Sequence, residues 1–175
     1  IIFTFFPNNL FSSNIILTDY PFLFFIWLGI LISYKIKYKP SIILSTLLGI
    51  SFALASYLRP IGIALAIMFF VILLFKNYPS SIKSSIVMLT AFILILLPWS
   101  IRNFNLFHSF VPVSTSGGYN FLMGNHKNSS GGINYDFEYN LLNPNEMEES
   151  SRAYNRAISD IMTNPIESIL RLPLK

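Results

Sequence analysis

The chain has no cysteine, which excludes a disulfide framework, a thiol nucleophile and a thiolate-ligated metal. Charge is nearly as scarce: 11% of the residues are Asp, Glu, Lys or Arg, against about 25% in soluble domains. Acids are almost missing from the first hundred residues, where Asp19 stands alone; the other seven lie between Asp136 and Glu167. There is no Walker-type phosphate loop, no Gly-x-Ser-x-Gly and no His-Glu-x-x-His. Gly117-Gly118 and Gly131-Gly132 are isolated pairs that read as turns and do not form a nucleotide-binding loop. His108 and His126 are the only histidines, and although His126, Asp136 and Glu138 have a conceivable metal spacing, they form no dense ligand cluster. No cofactor is expected, and no divalent metal is indicated. A basic, aromatic-interleaved patch is also absent, so nucleic acid is not an expected partner.

What is present is apolar. The 175 residues are 53% hydrophobic and 16% aromatic, with 17 Phe and a mean hydropathy of +0.57, a composition suited to lipid. Uncharged runs cover residues 1–18, 20–34, 40–58, 60–75 and 84–101. At about 1.5 Å per helical residue and about 30 Å of hydrocarbon, each run can cross or nearly cross a bilayer. The shorter ones are helped by snorkelling Lys35, Arg59 and Lys76. The expected fold is therefore all-α and polytopic, with spans at about 1–17, 20–35, 40–58, 60–76 and 83–98, followed by a mixed extracytoplasmic loop over 99–175. Residues 40–75 as one helix would be about 50 Å long, too long for a single crossing. Arg59-Pro60 is the expected break, because the residue before proline avoids helical angles and Pro60 suits a first turn. Position 1 is not Met and Lys175 ends the chain within a helical pattern, so the sequence reads as an internal fragment.

Charge sets the sidedness. Lys35, Lys37, Lys39, Lys76 and Lys83 fall in two short segments without an acid, while Asp19 and Arg59 lie at the opposite ends of the runs. By the positive-inside rule the lysine ends face the cytoplasm, and Asp19, Arg59 and everything from Trp99 onward face outward. A multi-pass protein of a bacterial inner membrane is the corresponding location. The first 98 residues hold six basic residues against one acid and the remainder six against seven, so the pI of about 9.4 reflects topology.

In the outward segment, Val111-Pro112-Val113-Ser114-Thr115 reads as extended and Ser116-Gly117-Gly118 as a turn, where glycine can take positive φ and let the backbone approach a neighbour. Asn128-Ser129-Ser130-Gly131-Gly132 reads as a second loop. Asn143-Pro144-Asn145-Glu146 and Asn164-Pro165-Ile166-Glu167 each offer an Asn cap, a proline in the first turn and a glutamate three residues after the cap. A helix over 143–162 is expected to be amphipathic, with Met147, Ser151, Tyr154, Ile158 and Ile161 on one face and Tyr154 and Ile158 buried. Thr18-Asp19 reads as a helix N-cap, with Pro21 in the turn that follows.

At the edge of the last apolar run stand Leu97-Pro98-Trp99-Ser100-Ile101-Arg102-Asn103, then Ser114-Thr115-Ser116-Gly117-Gly118-Tyr119-Asn120 and Gly124-Asn125. This wording resembles polytopic membrane glycosyltransferases of family 39, the protein-mannosyltransferase and lipid A aminoarabinose-transferase kind with the C-type glycosyltransferase fold. Many bacterial members read Pro-Trp-x-x-Arg-Asn here, followed by Ser/Thr-x-x-Gly-x-Asn and a Gly-Asn pair. Many also have Thr-Arg-Pro in a matching hairpin, where this chain has Leu58-Arg59-Pro60. Their Thr-Glu or Ser-Glu pair is replaced by Thr18-Asp19, with a shorter acid. The resemblance implies transfer of a sugar from a polyprenyl-phosphate donor to a lipid, glycan or protein acceptor on the outer face of the membrane. It implies Arg59 and Arg102 as donor-phosphate contacts, with Asp19, Asn103, Asn120 and Asn125 as supporting residues. The family's catalytic base is an acid in the first extracytoplasmic loop, which is expected upstream of Ile1.

Each of these residues also has a plainer reading. Arg59 can be a snorkelling arginine, and Arg102 beside Trp99 an interfacial anchor or an organiser of the loop. Two other functions stay open: a non-enzymatic transporter or lipid-handling scaffold, and an O-antigen ligase or polymerase. Against transport, no full span carries an ionisable residue at its middle.

Overall fold

The computed structural model describes residues 18–75, 81–125, 145–163 and 165. All regular structure among them is helical: α1 (Asp19–Tyr38), α2 (Ile42–Leu58), α3 (Ile61–Leu74), α4 (Ser81–Phe107), α5 (Gly117–Asn125) and α6 (Glu146–Thr163). The chain divides into two compact units, residues 1–100 and 101–175, with α4 running from one into the other. The expected span over 1–17, Lys76, His126, the glycine loop after Asn128, Asp136, Glu138 and Asn143-Pro144 lie outside the described residues. So does the second cap at Asn164, apart from the helical Pro165.

In the first unit, α1 and α4 are each long and apolar enough to cross a membrane. The other two helices are shorter than the expected spans. With 17 residues in α2 and 14 in α3, they reach about 25 and 21 Å. The break between them falls where the sequence places it: Arg59 is extended (φ −146°, ψ 126°), and Pro60 opens α3. At the start of α1 the expected cap is only half present. The Thr18 carbonyl accepts from the Phe22 N–H at 3.1 Å, but Thr18 has helical angles and its side chain makes no cap bond.

Packing in this unit relies on small residues. α2 buries Ser45, Gly49, Ser51, Ala53, Ala55 and Ser56 alongside Leu48 and Phe52. A Cβ on Gly49 would collide with the Met88 carbonyl oxygen and lie 2.9 Å from the Ala91 Cβ, so the backbones of α2 and α4 approach as only glycine permits. Gly29 of α1 likewise gives way to the Phe52 ring, which also meets Phe69 with centroids 4.8 Å apart. The buried hydroxyls of Ser33, Ser45, Ser56 and Ser85 bond carbonyls within their own helices, and Ser51 reaches across to the Phe25 carbonyl at 2.8 Å. The large side chains Phe24, Trp27, Leu31, Ile43, Ile67, Val71, Ile86, Ile93 and Leu94 are exposed.

The last apolar run does not end at Pro98. Helix α4 continues through it to Phe107. Proline removes the N–H that would reach the Leu94 carbonyl, but the helix tolerates that single loss. It stops instead at His108, the one non-glycine residue with positive φ (49°) among those described, whose N–H donates to the Phe104 carbonyl at 2.9 Å. That is a left-handed helix terminus with histidine where glycine is usual.

In the second unit, Ser116-Gly117-Gly118 is not the expected glycine turn, because Gly117 and Gly118 open helix α5. The close backbone approach expected of these glycines is present, without positive φ: a Cβ on Gly118 would collide with the Ser150 carbonyl oxygen of α6. The Gly118 N–H donates to Ser150 Oγ at 3.2 Å, fixing the same contact. Helix α6 begins later than expected, after Asn145, whose side-chain oxygen accepts from the Glu148 N–H at 3.3 Å.

The buried face of α6 also differs from the expected one. It is Ser150, Ala153 and Ala157, packed with Leu122 and Phe121, whereas Tyr154 is 41% and Ile158 46% exposed. The apolar periodicity found a real stripe. Close approach to α5 selects the neighbouring stripe of small residues for full burial and leaves Tyr154 and Ile158 partly exposed, with Tyr154 packed on Phe121 at a ring-centroid distance of 5.5 Å.

Candidate functional site

Asp19 and Arg59 meet. Asp19 lies in the first turn of α1 and Arg59 caps the C-terminus of α2, where its N–H donates to the Ala55 carbonyl at 2.9 Å. Antiparallel packing of α1 on α2 brings these ends together, and the guanidinium forms an ion pair with the Asp19 carboxylate. The two side chains are 47% and 42% exposed, so the pair is accessible at the tip of an apolar hairpin. A guanidinium in that position retains donors beyond those one carboxylate can use, and its planar fork matches phosphate oxygens as well as carboxylate oxygens.

Beside the hairpin tip, Tyr57 donates its hydroxyl to the Ile95 carbonyl of α4 and packs edge-on against Trp99, with ring centroids 6.2 Å apart. These contacts hold the end of α2 against the turn of α4 that contains Pro98. Sequence reasoning passed over Tyr57. The signal was present: a tyrosine near the end of an otherwise hydroxyl- and alkyl-lined helix needs a partner for its O–H when half-buried.

Arg102 and Asn103 belong to the second unit. The Arg102 guanidinium donates to Asn103 Oδ1 at 3.2 Å. Asn103 is 2% exposed, and its amide nitrogen donates to the carbonyls of Val111 at 3.1 Å and Val113 at 3.4 Å. Asn103 therefore organises the loop after α4, and its amide is committed to backbone. Asn120 is exposed on α5, while Asn125 bonds the Phe121 carbonyl within that helix at 2.9 Å. Thr115 donates to Glu146 at 2.8 Å, tying the Ser114–Ser116 stretch to the start of α6.

The site residues are thus distributed over two units: Asp19 with Arg59 in the first, and Arg102 with Asn103, then Asn120 and Asn125, in the second. Among the described residues no three His, Asp or Glu side chains are grouped to hold a metal. No protein-family model, curated protein or solved structure matches the chain.

Proposed function

We propose that this chain is part of a multi-pass membrane glycosyltransferase that takes a sugar from a polyprenyl-phosphate donor on the outer face of a bacterial inner membrane. The observation that carries the reading is the Asp19–Arg59 pair, held half-exposed at the end of the apolar hairpin opposite its lysines. Transfer leaves a lipid phosphate whose negative charge grows as the glycosidic bond breaks, and a guanidinium at headgroup depth stabilises that charge. Arg59 is the first contact in this scheme. Arg102, in the second unit, is proposed separately as a cation for lipid phosphate. Asp19 holds Arg59 until a phosphate takes over part of its donor set.

Multi-pass insertion is supported by the distribution of side chains in the first unit. Small residues and bonded serines are inside, and large aliphatic and aromatic residues face out. That is the arrangement expected where lipid is the solvent. The exposed Tyr154, Ile158 and Met162 stripe of α6 gives the second unit an apolar strip with which to rest on the membrane surface.

The test uses the full-length protein with membrane insertion shown unchanged. Arg59→Ala lowers transfer roughly 10²- to 10³-fold, the loss typical of removing one charge-stabilising donor. Arg59→Lys restores only part, because a point charge loses the bidentate fork. Asp19→Asn tightens binding of polyprenyl monophosphate about two- to fivefold, since an exposed pair is worth little and its carboxylate opposes the incoming phosphate. Undiminished transfer and lipid affinity in Arg59→Ala would reduce Arg59 to an interfacial anchor and overturn the proposal.

A further inference from the structure

At the other end of the first unit, the start of α2 and the first turns of α4 enclose a small open cavity of about 90 Å³, lined by Pro40, Ser41, Ile42, Ser45, Lys83, Ser84 and Val87. That is room for several waters or one small anion. Three features of its lining are unsatisfied.

Helix α2 has no side-chain cap. Ser41 is extended (φ −148°, ψ 138°) and in the right place, yet its hydroxyl makes no cap bond. The first helical N–H to find a partner is that of Ser45, which donates to the Ser41 carbonyl at 3.0 Å, so the preceding donors of the turn stay open among the described residues. Lys83 is exposed and has no ion pair among the described residues.

Ser84 is the most telling. It is 4% exposed and lines the cavity, and its hydroxyl has no hydrogen-bond partner among the described residues. Its neighbour Ser85, equally buried, donates to the Ser81 carbonyl at 2.8 Å. A buried hydroxyl without a partner keeps the cost of leaving water uncompensated, so such a group in the lining of a cavity points to something that occupies it. No carboxylate competes within this unit, because its sole acid, Asp19, belongs to the opposite end of the hairpin.

We infer that this cavity binds a phosphate group, with Lys83, the Ser84 hydroxyl, the Ser41 hydroxyl and the open N–H groups of α2 as donors, and that the phosphate belongs to an anionic lipid headgroup. A helix N-terminus favours an anion. A tetrahedral phosphate can accept from several directions at once, as this donor set requires. The lipid source follows from position: the cavity lies at the lysine end of apolar helices, at headgroup depth on the proposed inner face. The inference uses the membrane placement above but is independent of sugar transfer.

The test titrates purified full-length protein in neutral detergent with dihexanoyl phosphatidylglycerol and, separately, with inorganic phosphate, reading affinity by calorimetry. The lipid binds the wild type. Lys83→Gln weakens binding roughly tenfold or more, the fold-change expected from losing one charge-assisted hydrogen bond. Ser84→Ala, which removes only a hydroxyl, weakens it several-fold without lowering the melting temperature. Lys37→Gln, which removes a lysine near the same end that does not line the cavity, leaves it unchanged. If inorganic phosphate alone binds with the same dependence on Lys83 and Ser84, the site stands with a soluble phosphate as its ligand. Equal affinity in wild type and Lys83→Gln, an equal loss in Lys37→Gln, or no binding of either probe overturns the inference.

Discussion

The two units bring helices together by the same device and surround themselves with opposite chemistry. Gly49 lets α2 meet the backbone of α4, and Gly118 lets α5 meet the backbone of α6. Around the first contact, helix after helix exposes Leu, Ile, Phe and Trp, and the unit holds a single acid. Around the second, α6 carries Glu146, Glu148, Glu149 and Asp160 with Arg152 and Arg156, and Arg152 pairs with Glu148 and Glu149 on its exposed side. A small-residue seam therefore says that backbones come close and says nothing about the solvent outside. The solvent is read from the outward side chains, which suit lipid in the first unit and water with one apolar strip in the second.

The sharpest way to break this comparison is to charge the seam of the second unit. Ala157 is fully buried and Ile158 is not, so Ala157→Asp should unfold the α5–α6 contact. Ile158→Asp should fold and lose only affinity for vesicles. Hydrogen exchange over α5 and α6, together with vesicle flotation, separates the two. Equal loss of protection in both variants would place the large stripe, and not the small one, against α5.

Smaller effects are expected at the glycines. Gly49→Ala and Gly118→Ala each force a methyl into a neighbouring carbonyl and should cost about 1–3 kcal/mol, read by denaturant or thermal unfolding of the full-length protein. A methyl at Gly124 in α5 would meet nothing within 4 Å among the described residues, and Gly124→Ala should be neutral or stabilise by up to about 1 kcal/mol. If all three behave alike, helix propensity and not close approach explains these glycines.

How much of this was readable in the sequence depends on whether a feature is local. The break at Arg59-Pro60 was legible because proline dictates both its own angle and its neighbour's. The helix after Asn145 was legible to within a few residues, because capping chemistry is local too. Helix α4 running past Pro98 was not, since one lost hydrogen bond is a small term in a helix of 27 residues. Its end at His108 carries no glycine signal. Nor could the sequence show that Asp19 and Arg59 are partners, because that depends on α1 packing antiparallel to α2 through Gly29 and Phe52. The burial of Ala157 over Ile158 was hidden for the same reason: periodicity finds an apolar stripe, but the approach distance of the neighbouring helix selects which stripe is buried.

The proposed sidedness, with the lysine end of the first unit and α6 reached from opposite faces of a membrane, is tested most directly by labelling from each side. The chain has no cysteine, so single exposed positions report cleanly within this segment. Lys39→Cys marks the lysine end of the first unit and Ser159→Cys the polar side of α6. In intact cells, an impermeant maleimide should label Ser159→Cys and leave Lys39→Cys untouched until the membrane is opened. Labelling of both positions from the outside, or protection of both, would contradict the account.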